Sequence, residues 1–270
     1  MSLLEIKLIV TPLVVLVATL AARRWGDAVG GWLVGPPLTS GPVSVFLALE
    51  QGPGFAAGAA DGSLAGVVAQ AAFCLGYAAL ARGGVAAALA AGTFAYVAAA
   101  TALVEAGLSR AALFLAAFAA LAMVLWLVPR RFPSVSVNAV GWRETLARMV
   151  VTTALVVGLT SVATTLGPRA SGVAASFPLI GASIAAFAHL RQGPAAGISV
   201  MRGMASALHA FAVFFLLAGS TLTRIPLLAA FGVAAAGALI TQGVTLRFVR
   251  PAQKRRRGRW GAAASSLTRG

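Results

Sequence analysis

Apolar residues run along this chain in long blocks, separated by a few glycines, prolines or charged residues. A bilayer's hydrocarbon core takes about 20 helical residues to cross, and several blocks reach that length without a charge. Read by length, the pattern predicts nine spans, at about 6–22, 30–49, 60–81, 84–104, 109–128, 146–166, 171–190, 196–218 and 225–246. Connections between most of them are very short, so neighbours along the chain run antiparallel. The longest, Pro129 to Thr145, has no room for a soluble domain. The first block is read as a retained span, because Glu5 and Lys7 precede it and Arg23 and Arg24 follow it, the reverse of a signal-peptide charge pattern. The strict apolar–polar alternation of a membrane barrel is missing. The expected fold class is an all-α polytopic membrane protein.

Composition sharpens this picture. Of 270 residues, 60% are hydrophobic and 10% charged, with a mean hydropathy of +0.92; soluble domains carry about 25% charged residues. The single cysteine, Cys74, lies inside an apolar block and excludes a disulfide framework or a cysteine metal cluster. The net charge of +15 invites a nucleic-acid reading, but the placement of the basic residues argues for topology. With nine spans, Lys7, Arg110, Arg169 and Arg224 fall on one side and the other 17 Lys and Arg residues on the opposite side. Basic loops stay in the cytoplasm, so the N-terminus is expected outside and the C-terminus inside, in a bacterial inner membrane. The run Lys254 to Arg257 then meets anionic lipid headgroups at about 1 kcal/mol per residue. No nucleic-acid partner is required.

The chain also matches itself. Shifted by 141 positions, 19 of the 66 residues from 10 to 75 recur identically, without a gap. Pro37 and Leu38 fall on Pro178 and Leu179, Phe46 on Phe187, and the tripeptide Gln51, Gly52, Pro53 on Gln192, Gly193, Pro194. Only three of the matches are alanines. Spans 1–4 therefore match spans 6–9, with span 5 between them, an inverted 4+1+4 repeat of the kind many transporters use. The expected organisation is 1–107 for the first repeat, 108–141 for a linker with span 5, 142–250 for the second repeat and 251–270 for a basic tail. Glu50 aligns with Arg191 and Asp61 with Arg202, a charge exchange that suits opposite orientations in the membrane.

The stretch from Gly31 to Ser40 reads Gly-Trp-Leu-Val-Gly-Pro-Pro-Leu-Thr-Ser. It resembles the Pro-Leu-Thr-Ser segment of small four-helix bacterial inner-membrane proteins of the GlpM type. The second copy, from Phe177, Pro178 and Leu179 to Phe214, is similar, with Ile180 and Gly181 in place of Thr39 and Ser40. The resemblance implies a four-helix unit, here duplicated as a fused antiparallel pair. It implies no catalytic residues.

Charged groups inside a membrane are costly and mark functional candidates. On span 8, Ser199, Arg202, Ser206 and His209 share one helical face, opposite Met201, Met204, Leu208, Phe211 and Phe215. Two readings are open for Arg202 and His209: an anion-accepting, proton-responsive path, or snorkelling of Arg202 and capping of a carbonyl by His209. Prolines interrupt span 2 at Pro36, Pro37 and Pro42, and span 7 at Pro178. Each frees a backbone carbonyl that must find a partner in lipid. Thr39, Ser40 and Ser44 stand beside the first break and Ser183 beside the second. A pair of broken helices in matching repeats points to a binding site; structural kinks filled by small residues are the alternative. Secondary candidates are Glu50, Asp61, Gln70, His189 and Arg191. Glu50 and Asp61 suit either a cation or proton site or a solvated hairpin with Arg110 or Arg224 nearby.

Two histidines, six acids and one cysteine show no metal-ligand spacing, and no nucleophile–base set or phosphate loop is visible. No enzyme activity, cofactor or metal is expected. The expected function is transport of a small solute, an anionic one suiting Arg202, through a central cavity bordered by Pro37, Thr39, Ser40, Pro178, Ser183, Arg202, Ser206 and His209. A channel-like pore and a non-transporting subunit of a larger membrane complex are the alternatives. Membrane lipids are expected partners, and a homo-oligomer fits equally.

Overall fold

A computed structural model describes residues 40–128 and 142–249, together with Glu5, Leu8, Ile9, Pro12, Leu13 and Leu16. These residues form helices joined by short turns, with no strand among them. From Ser40 onward the helices are α1 (Ser40–Gln51), α2 (Pro53–Leu80), α3 (Val85–Ala106), α4 (Arg110–Leu127), α5 (Trp142–Leu166), α6 (Pro168–Ala175), α7 (Leu179–Gln192), α8 (Pro194–Thr221) and α9 (Leu227–Val249). Five helices among the described residues are long and apolar enough to cross a membrane: Pro53–Gly83, Val85–Ala106, Arg110–Leu127, Pro194–Thr221 and Leu227–Thr245. The predicted break at Pro178 is present, and it divides the expected span 171–190 into the short helix α6 and the longer α7.

Glycine followed by proline makes three of the corners. Gly52, Gly167 and Gly193 take φ of 86°, 77° and 86°, a region closed to most side chains. The prolines after them occupy the first turn of α2, α6 and α8, where a missing N–H costs no helical bond. The corners at Gly52 and Gly193 stand 141 positions apart, and the helices after them, α2 and α8, are each 28 residues long. Gly107, at φ 59°, closes α3 in the left-handed conformation, and the Ser109 hydroxyl caps α4 by accepting from the Ala112 N–H at 3.3 Å.

The outer helices are patterned inside out relative to a soluble protein. α3 buries Ala88, Gly92, Tyr96 and Ala100, while Phe94 is 76% exposed. α9 buries Ala230, Ala234 and Ala238, while Leu228 is 87% exposed. Small residues turned inward and large apolar residues turned outward suit helices whose solvent is lipid. α2 is the axis: it packs against α1, α3, α4, α6 and α8. α8 packs against α2, α4, α7 and α9, so α4 lies against both long helices.

Close approach is concentrated where α6 meets α2. A methyl group on Gly62 would sit 2.0 Å from the Arg169 carbonyl oxygen, and one on Gly172 would sit 1.9 Å from that of Ala59. Gly58 and Gly66, one turn to either side of Gly62, face side chains instead: a methyl would sit 2.9 Å from Pro168 Cβ and 2.5 Å from Ser176 Cβ. This four-residue spacing of glycines brings the two backbones into contact.

Gly62→Ala and Gly172→Ala should each destabilise the protein by about 1–3 kcal/mol, because neither carbonyl can withdraw without moving a helix. Gly54→Ala, where a methyl meets nothing within 4 Å, is the control and should leave stability unchanged. Thermal unfolding in detergent measures all three, and equal melting temperatures would disprove the close packing.

Candidate functional site

α6 ends at Ala175, and its last turn closes with Ser176 N–H donating to the Val173 carbonyl at 2.9 Å and Phe177 N–H to that of Ala174 at 3.3 Å. Pro178 has no N–H to offer and stops the ladder. α7 restarts with Ala182 N–H donating to the Pro178 carbonyl at 2.8 Å. Carbonyls left open by such a break must be satisfied inside the protein. The structure supplies hydroxyls. Ser176 Oγ donates to the Gly172 carbonyl at 2.9 Å, and Ser63 Oγ on α2 donates to the same carbonyl at 3.2 Å. Tyr96 Oη on α3 donates to the Val173 carbonyl at 2.7 Å.

Aromatic rings fill the space beside the break. Phe177 meets Tyr96 edge to face, with centroids 5.1 Å apart, and Phe73 in the same manner at 6.3 Å. Tyr77, one turn along α2, donates to the Ala185 carbonyl at 3.3 Å and lies 3.0 Å from His189 Nδ1. Gly197 leaves room for that hydroxyl, since a methyl there would come within 2.6 Å of it. The only two tyrosines of the chain thus both reach the broken segment.

A second set of polar contacts lies at the two ends of α4. At its first residue, Arg110 Nε donates to Asp61 Oδ1 at 2.5 Å and Nη2 to Oδ2 at 3.3 Å. The same guanidinium donates to the Gly219 carbonyl of α8 and, at 3.4 Å, to the Ala57 carbonyl of α2. At the other end, Arg202 of α8 donates to the Leu125 carbonyl at 2.5 Å and to the Val128 carbonyl. These belong to the carbonyls that a helix leaves open at its C-terminus, where a positive charge also suits the helix dipole. Asp61 and Arg202, 141 positions apart in the chain, therefore contact opposite ends of one helix. Midway, the His209 ring stands edge to face on Phe118 at 5.0 Å, with Nδ1 3.2 Å from the Ser206 carbonyl.

The predicted site residues thus fall into two neighbourhoods. Pro178 is buried at the break, and Ser183 lies one turn into α7, exposed, donating to the Leu179 carbonyl at 2.7 Å. Arg202, Ser206 and His209 lie half-buried on α8, and the Arg202 and His209 side chains meet α4, while Met201, Leu208 and Phe215 of the same helix are buried. Ser44 is buried on α1, Ser40 is the first residue of that helix, and Gln70 is buried on α2. Glu50 is half-buried at the end of α1; Arg191 is exposed at the end of α7, beside the buried His189. Pro37 and Thr39 lie outside the described residues, as do most of the first span, the segment 129–141 and the tail. Tyr77, Tyr96, Ser63 and Ser176 did not stand out in the sequence. The scarcity of tyrosine in so apolar a chain was the available signal.

A cleft of about 490 Å³ lies elsewhere, between Leu8 and Pro12 and the α5 residues Leu146, Met149, Val150, Thr153, Ala154 and Val157, and none of the predicted site residues lines it. Among the described residues no three His, Cys, Asp or Glu side chains converge, so the polar chemistry described is hydrogen bonding and ion pairing. The described chain is a bundle of helices with the proportions of a membrane protein. No protein-family model, curated protein or solved structure matches it.

Tyr96→Phe should cost about 0.6 kcal/mol, the average for one hydrogen bond between membrane helices, since the Val173 carbonyl keeps the Ser176 N–H. Thr101→Val is the control, since that exposed hydroxyl bonds carbonyls of its own helix. Equal melting temperatures for the two variants would show that the Tyr96 hydroxyl does not hold the break.

Proposed function

We propose that this chain is a bacterial inner-membrane transporter of a small polar solute, working by alternating access between two inverted four-helix repeats on either side of α4. The observation that carries this reading is the broken helix α6–α7, whose Gly172 and Val173 carbonyls also accept from hydroxyls of α2 and α3. Hydroxyl–carbonyl bonds of this kind average about 0.6 kcal/mol between membrane helices, so a solute carrying its own donors can exchange with them. Arg202 offers a planar fork to an anionic solute when its hold on Leu125 and Val128 loosens.

The repeat draws support from the equal lengths of α2 and α8, the matching Gly-Pro corners, and the packing of α4 against both. On this reading each half is a GlpM-like unit, the N-terminus lies outside, and the C-terminus is cytoplasmic. A second reading, a non-transporting subunit, is favoured by the apolar filling between α2 and α8, where Cys74, Met201, Ala205 and Leu208 are all buried. The same filling weighs against a permanently open pore.

A reporter fused after Gly270 should act as cytoplasmic, and export of that reporter would remove the topology. Ser176→Cys in a Cys74→Ala background should be modified by impermeant thiol reagents added to either side of membrane vesicles. Protection from both sides would refute transport and leave the subunit reading in place.

A further inference from the structure

We infer that α4 is a rocking rod whose two ends are alternating latches: the Asp61–Arg110 pair closes one face of the protein, and Arg202 on the Leu125 and Val128 carbonyls closes the other. The inference rests on the alternating-access reading and specifies the parts that move.

The geometry has three elements. Arg110 is one side chain that ties three helices, holding Asp61 and the Ala57 carbonyl of α2 and the Gly219 carbonyl of α8 from the first residue of α4. Arg202 ties α8 to the last turn of the same rod. Between them, Phe118 on His209 marks a contact near the rod's midpoint, an edge-to-face ring pair that tolerates tilt better than a hydrogen bond does. α4 has 18 residues and is therefore about 27 Å long. A rigid rod tilting about its middle draws one end away from α2 and α8 as it presses the other end in.

The two latches differ in chemistry. A guanidinium at a helix N-terminus opposes the helix dipole, so Arg110 depends on Asp61 to stay there. Arg202 sits at the end that the dipole favours, on the Leu125 and Val128 carbonyls. Asp61 and Arg110 side chains are 16% and 27% exposed, so the protein encloses this latch only in part. Both latches are closed in the structure, an occluded arrangement.

The test uses two single-cysteine reporters on α8 in a Cys74→Ala background: Ser220→Cys beside Gly219, and Ser199→Cys one turn before Arg202. Maleimide labelling rates are compared in intact membranes. Asp61→Asn should raise labelling at position 220 and lower it at position 199, each by about 5-fold, the population shift that loss of one modest interaction produces. Arg202→Gln should do the reverse. Arg110→Gln serves as a second release of the first latch should Asp61→Asn fail to fold, with monodispersity in detergent as the check. A rise at the near reporter with no fall at the far one is local loosening and overturns the rocking rod, as do unchanged rates at both. If Ser176→Cys alone is reachable from both faces while the latch variants do nothing, transport stands and the latches fall. If Ser176→Cys is reachable from neither face, both fall.

Discussion

The backbone of α6 rests directly on the backbone of α2, and the broken-helix site depends on that contact. Where Gly62 faces the Arg169 carbonyl and Gly172 faces that of Ala59, there is no space for a single methyl group. Lipid offers no hydrophobic drive for helices to associate, so packing at this distance and the few interhelical hydrogen bonds must supply the attraction. The contact also sets reach. Ser63, one residue beyond Gly62, finds the Gly172 carbonyl only because the two chains are this close. Any residue larger than glycine would lift α6, and the break at Pro178, away from its hydroxyl donors.

The charged groups obey the same constraint by another route. An arginine in a bilayer must bring its partners with it or reach the surface. Arg110 takes a carboxylate and backbone carbonyls, and Arg202 takes the open end of a helix. Backbone carbonyls are an economical answer, because every helix terminus already carries several without partners. Arg202 on α4 and Arg110 on the Gly219 carbonyl of α8 thus both use carbonyls in the last turn of a helix.

Much of the fold was legible because hydrophobic length is a local property. Blocks predicted at 60–81, 84–104, 109–128, 196–218 and 225–246 correspond to α2, α3, α4, α8 and α9. Their starts were less legible: α2 and α8 begin earlier than predicted, at Pro53 and Pro194, since a proline reads as a breaker until the glycine before it is recognised as the corner. The break at Pro178 was visible, because a missing N–H is written in the residue itself. The partners of the break were not. Tyr96 bonds a carbonyl 77 positions away and Tyr77 one 108 positions away, and such choices depend on which helices lie adjacent. For Asp61 the chain offered Arg110 or Arg224, and the packing of α4 against α2 selected the former. For Arg202 the sequence left an anion path and snorkelling both open. Its contacts include backbone oxygens at a helix end, which no side-chain pattern marks.

The two pieces of the broken helix also carry a consequence for how the protein is made. α6 has 8 residues and α7 has 14, so they measure about 12 and 21 Å, and neither alone crosses a core about 30 Å thick. A newly synthesised α6–α7 segment would meet its Gly172 and Val173 carbonyls with the Ser176 hydroxyl and N–H alone. The second donors to those two carbonyls, Ser63 and Tyr96, belong to helices earlier in the chain. Synthesis therefore delivers the receiving surface, α2 and α3, before the segment that docks on it.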